Sequence, residues 1–149
     1  MNLGNCSAVK PLTLVLILLI GGACNRGGDP KDDGEKPYAV TVTPPEVASM
    51  GAPVSARIKV EPRGGYKINL EYPARLVVQG PLGAAPMRQV ILKGDAVTLN
   101  DKELVMAPAV TLGKGGEHRF SGKLSFSVCT ERVCEVKSEQ LSWIVKVKE

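Results

Sequence analysis

Two of the four cysteines stand close together, in Cys129-Thr-Glu-Arg-Val-Cys134, and this spacing is the part of the chain best suited to chemistry. Three uses of such a pair compete. As a zinc site it would need four ligands at short spacings. The chain supplies a single histidine, His118, so zinc lacks ligands. As a disulfide, the pair sits between Leu124-Ser-Phe-Ser-Val128 and a second strand-like run toward Leu141 and Trp143. A hairpin with the loop Thr130 to Val133 would set the two cysteines opposite each other, at a separation a disulfide can close. Direct pairing would also turn Val136 to the same side as Ser127, a mismatch that a bulge or a wider loop would avoid. Such a bond would close a six-residue loop, which in the chain-entropy account is worth only about 2 kcal/mol. The third use is exchange, because a disulfide near a hairpin tip can be reached by another protein's thiolate. Arg132 would favour a thiolate there, whereas Glu131 and Glu135 would oppose it. The residues alone leave the structural and the exchanging disulfide both open. His118, in a Gly-rich stretch, reads as a polar loop or strand-start residue.

The remaining cysteines belong to the N-terminus. Met1 to Lys10 is a short lead with one basic side chain, followed by the apolar run Leu12-Thr-Leu-Val-Leu-Ile-Leu-Leu-Ile20 and then Gly21-Gly22-Ala23-Cys24. A basic start, an apolar core of about ten residues and small residues at its end make a secretory signal, too short for a membrane span of roughly 20 residues. Gly22-Ala23-Cys24 resembles a bacterial lipobox, in which the cysteine takes the lipid and becomes the new N-terminus; Gly21 stands where that motif usually carries Leu. The expectation is a lipoprotein signal over 1–23 with lipidation at Cys24. Cys6 lies in the discarded lead and has no role. Residues 24–37, rich in Gly, Pro and charge, read as a flexible tether. Export puts Cys129 and Cys134 in a compartment where thiols can be oxidised.

Removing 1–23 takes 23 of the 149 residues and leaves 126; Lys10 is the only charged side chain lost, so the net charge falls from +4 to +3. A nucleic-acid binder would show clustered Lys and Arg on a strongly basic domain, and none is expected here. A single histidine and no serine or cysteine in a nucleophile motif leave a hydrolytic triad without support. Four methionines, one of them Met1, are too few and scattered to suggest metal handling. No metal and no cofactor are expected.

From Tyr38 onward the period is two. Val40 and Val42 alternate with Thr; Val54, Ala56, Ile58 and Val60 with Ser55, Arg57 and Lys59; Tyr66, Ile68 and Leu70 with Lys67 and Asn69. Phe120, Leu124, Phe126 and Val128 alternate with serines and Lys123, and Leu141, Trp143, Val145 and Val147 with Ser142, Ile144, Lys146 and Lys148. This predicts half-buried antiparallel strands. Pro44-Pro45, Pro62-Arg-Gly-Gly65, Gly80-Pro-Leu-Gly83, Lys93-Gly-Asp95 and Gly113-Lys-Gly-Gly116 separate them as turns. Weaker strands are expected at Leu76–Gln79, Gln89–Leu92 and Leu104–Leu112, the last interrupted by Pro108. No helical stripe of useful length is present. Seven to nine strands in one domain, 38–149, predict an all-β, immunoglobulin-like antiparallel β-sandwich, with a closed barrel as the alternative.

The order Gly65-Tyr66-Lys67-Ile68-Asn69, several short strands, Phe120-Ser-Gly-Lys-Leu-Ser-Phe-Ser-Val-Cys129, four residues, Cys134 and a closing strand resembles the N-terminal periplasmic domain of the thiol:disulfide interchange protein DsbD family, over roughly residues 40–148. The resemblance implies an immunoglobulin-like sandwich whose Cys129 and Cys134 shuttle between dithiol and disulfide, with Cys134 the attacking thiol. It implies thioredoxin-like or membrane electron-carrier partners, here separately encoded. The expected function is a lipid-anchored periplasmic thiol–disulfide exchange module, facing the periplasm from the inner or the outer membrane. The alternative is a non-enzymatic β-sandwich lipoprotein that binds a protein partner and carries a purely structural disulfide.

Overall fold

The computed structural model of the protein describes residues 35–148. The signal sequence, Cys6, the lipidation site Cys24 and nearly all of the tether lie outside the described residues. Thirteen strands follow: β1 (Tyr38–Thr43), β2 (Ala48–Ser49), β3 (Pro53–Ser55), β4 (Arg57–Pro62), β5 (Lys67–Ile68), β6 (Arg75–Gln79), β7 (Ala84–Ala85), β8 (Arg88–Leu92), β9 (Thr98–Leu99), β10 (Leu104–Met106), β11 (Ala109–Leu112), β12 (Gly116–Cys129) and β13 (Cys134–Lys148). Nine of them have three residues or more, and the described residues hold one 3₁₀ turn, Lys93–Asp95.

The strands form two layers. One runs β2-β13-β12-β6-β8, with β5 also pairing β12; the other runs β1-β4-β10-β9 and β3-β11-β7. The order β1-β4-β10-β9 facing a sheet built on the β12–β13 hairpin and β6 is the immunoglobulin strand order, with β8 as the extra strand of the larger variant. The predicted sandwich is therefore present, and the barrel is not.

Two expected strands are each divided. The run Val54 to Val60 breaks at Ala56, and the run Leu104 to Leu112 breaks after Met106. The register explains both. Met106 lies opposite Ile58 and Ala109 opposite Ser55, so the alignment is unbroken and Pro108 falls opposite Ala56. Proline has no N–H to give, and the ladder fails on both strands at that level.

The inward residues of β12 (Phe120, Leu124, Phe126, Val128) meet Ile58, Val60, Leu104 and Met106 from the other layer in one buried cluster. Phe120 stacks on Trp143 with ring centres 5.6 Å apart, and Tyr38 meets Phe126 edge-on at 4.9 Å. Both geometries add to the burial of these rings. β12 and β13 are longer than their apolar alternation predicts, because the hairpin continues through Glu135 to Gln140. Among the described residues β13 is an edge strand for most of its length, and besides β12 it pairs there only with β2, at Val147 and Lys148. Charged side chains along an exposed edge discourage stray strand pairing.

Candidate functional site

The chain makes its final reversal at Thr130–Val133. The Thr130 amide donates to the Val133 carbonyl at 2.8 Å, and the Thr130 hydroxyl accepts from the amides of Arg132 (3.3 Å) and Val133 (3.2 Å). A threonine that caps its own turn in this way holds it without help from the flanking side chains. Because 130 and 133 are a hydrogen-bonded pair, 129 and 134 are the next, non-hydrogen-bonded pair, where side chains approach most closely. Cys129 and Cys134 lie directly opposite, with Cα atoms 4.0 Å apart, and are joined as a disulfide.

No bulge intervenes. Ser127 and Val136 are register partners, and the expected mismatch is met in another way. Asn69, just after β5, donates its amide to the Ser127 carbonyl at 2.9 Å and covers that side chain, so Ser127 is 2 % exposed while Val136 is 63 % exposed. A polar side chain can be buried there because Asn69 Nδ2 donates to its hydroxyl at 3.5 Å.

The disulfide faces solvent on the outside of the large sheet, and its two halves differ. Cys134 is exposed on the edge strand, whereas Cys129 is half-buried between β13 and β5, where Lys67 is its register partner. A cleft of about 390 Å3 opens beside Cys129, lined by Lys67, Asn69, Leu70, Asp101, Thr130 and Glu131 among others. Leu70, Val133 and Val136 leave apolar surface exposed around it. Charges lining the cleft are of both signs, Lys67 against Asp101 and Glu131.

The opposite face of the hairpin is charged and held. Tyr66 donates its hydroxyl to Glu135 at 2.7 Å, and Lys137 donates to the same carboxylate at 2.5 Å. Lys137 and then Tyr66 keep the Glu135 carboxyl below the usual glutamate range. Four residues on, Tyr38 and Lys36 do the same for Glu139. Burial, reinforced by the Glu139 carboxylate, raises the Tyr38 phenol well above its ordinary value. The aromatic residue of the Gly65-Tyr66 segment therefore supports the hairpin from below and does not cover the disulfide.

The structure thus unites Cys129 and Cys134. His118 lies at the far end of β12, half-buried, with Nε2 2.8 Å from the Lys114 carbonyl that accepts from it. Among the described residues no group of three or more His, Cys, Asp or Glu side chains converges to hold a metal ion. Lys67, Asn69 and Asp101 were not recognisable as site residues. Lys67 and Asn69 are the polar half of an ordinary alternation, and Asp101 carries no sequence signal.

Fold and site together define an immunoglobulin-like β-sandwich with a solvent-facing disulfide on its last hairpin. No family model matches the chain, and no curated protein matches it by sequence. Among solved structures it is similar to a cohesin module of a Clostridium perfringens family 33 glycoside hydrolase (14 % identity over 74 % of this chain and 96 % of that one, TM-score 0.43). It is also similar to a CARDB domain from Pyrococcus furiosus solved in complex with di-metal ions (14 % identity, 74 % and 87 %, TM-score 0.42). A third is AggA, the major subunit of an Escherichia coli aggregative adherence fimbria (13 % identity, 74 % and 95 %, TM-score 0.37). At these scores the likenesses add nothing to the fold derived from strand order.

Proposed function

We propose that the protein is a lipid-anchored periplasmic thiol–disulfide exchange module working through Cys129 and Cys134. The observation that carries this reading is the placement of the disulfide. It joins two neighbouring strands whose turn is already closed by three hydrogen bonds, and it does not tie the two sheets together. It faces solvent beside an open cleft. A thiolate of a thioredoxin-like or membrane electron-carrier partner attacks the exposed Cys134 sulfur and forms a mixed disulfide, while Cys129 leaves as a thiolate. The partner's second cysteine then attacks the mixed disulfide and leaves the reduced pair on this chain. Attachment at Cys24 through the 24–37 tether would keep the domain near its partners.

The test is the reduction potential of the Cys129–Cys134 disulfide, measured by equilibration with a redox buffer. The expected value lies above about −300 mV. A potential well below that value marks an inert structural bond, and the reading then gives way to a non-enzymatic lipoprotein that binds a protein partner.

A further inference from the structure

The register places residues of four strands on one solvent face. Across β13, β12, β6 and β8, Ser142, Ser121, Gln79 and Arg88 form one row, Gln140, Lys123, Val77 and Val90 the next, and Ser138, Ser125, Arg75 and Leu92 the third. Arg119 stands one step beyond the first row, two residues before Ser121. Residues aligned in this way project from the same side of a sheet. Arg75, Arg88, Arg119 and Lys123 are all exposed, and none makes an ion pair among the described residues. These three rows carry no carboxylate. Other cations are paired: Lys36, Lys59, Arg63 and Lys137 each meet a glutamate, and Lys146 at the far end of this sheet is held by Glu117. Arg75, Arg88, Arg119 and Lys123 therefore give this face a local positive charge with no carboxylate within its rows. Between the cations lie the exposed apolar side chains of Val90 and Leu92.

The same face continues into the disulfide. Ser125 lies four residues from Cys129, about 13 Å along the strand. We infer that this face is the docking surface for an acidic patch on the protein whose thiolate opens the disulfide; the inference rests on the exchange function proposed above. Four unpaired cations on a serine-rich sheet face complement carboxylates, and a protein surface can also bring a thiolate to the sulfurs. Two strands wide from Arg119 to Cys129 and four wide beside Ser121–Ser125, the face covers about 500 Å2, the scale of a transient redox encounter and not of a stable complex. Cationic fields of this kind act mainly on the rate of association.

Two synthetic cysteine peptides test the inference on the full-length protein, one with glutamates and one with lysines beginning about four positions from the cysteine, to match the spacing along β12. Each peptide thiolate attacks a disulfide sulfur; one S–S bond breaks, one forms, and the departing thiolate takes a proton from water. The acidic peptide is expected to react about tenfold faster at low ionic strength, with the preference fading toward half-molar salt. The double variant R75E/K123E is expected to lose the preference while its reduction by uncharged dithiothreitol is unchanged. Equal rates for the two peptides, or a preference that survives R75E/K123E, overturns the docking surface and leaves the exchange function standing. If neither the peptides nor dithiothreitol opens the disulfide in the folded protein, the exchange function itself falls. If anionic phospholipid vesicles shield the disulfide from dithiothreitol in the parent chain but not in R75E/K123E, the face meets lipid, and the protein-partner inference is overturned.

Discussion

Replacing both cysteines, in C129S/C134S, should leave the domain folded and cost it no more than about 2 kcal/mol, the chain-entropy worth of a six-residue loop. The structure shows why the loss stays at that level. The turn is closed by the Thr130 amide and hydroxyl, and the β12–β13 ladder runs through fourteen register pairs without a break. No second sheet depends on the bond. For a domain of this size such a loss lowers Tm by about 8 °C. The same free energy also appears in the redox chemistry. Whatever the disulfide adds to the fold, the fold adds to the disulfide, so about 2 kcal/mol depresses its potential by about 45 mV relative to the unfolded chain. Urea unfolding of the oxidised, reduced and C129S/C134S forms, combined with potentials measured in and out of urea, checks both numbers. A loss of 4 kcal/mol or more, or failure of the reduced protein to fold, would show that the bond is a staple and refute the argument from the turn.

Three other outcomes are expected. Glu135 and Glu139 are held below the usual glutamate range in the fold, so their contribution is complete above that range and is lost as pH falls through their folded values. Urea midpoints should fall in acid, and E139Q should flatten that fall; an unchanged acid limb in E139Q would sink the assignment. The Tyr38 phenol is raised, so its contribution is present below the ordinary tyrosine range and lost as pH rises above it. Tyrosinate absorbance should show two phenols titrating late, Tyr38 and the Glu135-bonded Tyr66, and Y38F should remove one of them. A Cβ added at Gly80 would sit 2.9 Å from both Ala84 Cβ and Phe120 Cε1, so Gly80→Ala should cost about 1–3 kcal/mol in thermal or urea unfolding.

The fold was largely legible because a sheet with one buried face writes its register into the sequence. Phe120, Leu124, Phe126 and Val128 announced β12, and Trp143, Val145 and Val147 the closing half of β13. The stretch from Glu135 to Gln140 was not legible as strand, since its inward positions carry Glu135, Lys137 and Glu139, which are satisfied by Tyr66, Tyr38 and Lys36 from sequence-distant segments. Pro108 was visible as an interruption of its own strand, but not its effect on Ala56, because the two meet only through cross-strand register.

The cysteine pair divides in the same way. Residue type and spacing alone determined that Cys129 and Cys134 could close a disulfide across a short loop, because a hairpin brings its ends together by local geometry. Only the tertiary structure decided which way that disulfide faces, that β5 brings Lys67 and Asn69 against Cys129, and that Cys134 remains on an open edge. Those facts depend on strands separated by some sixty residues lying side by side. Period-two patterning states which face of a strand is buried; it does not state which strand is its neighbour.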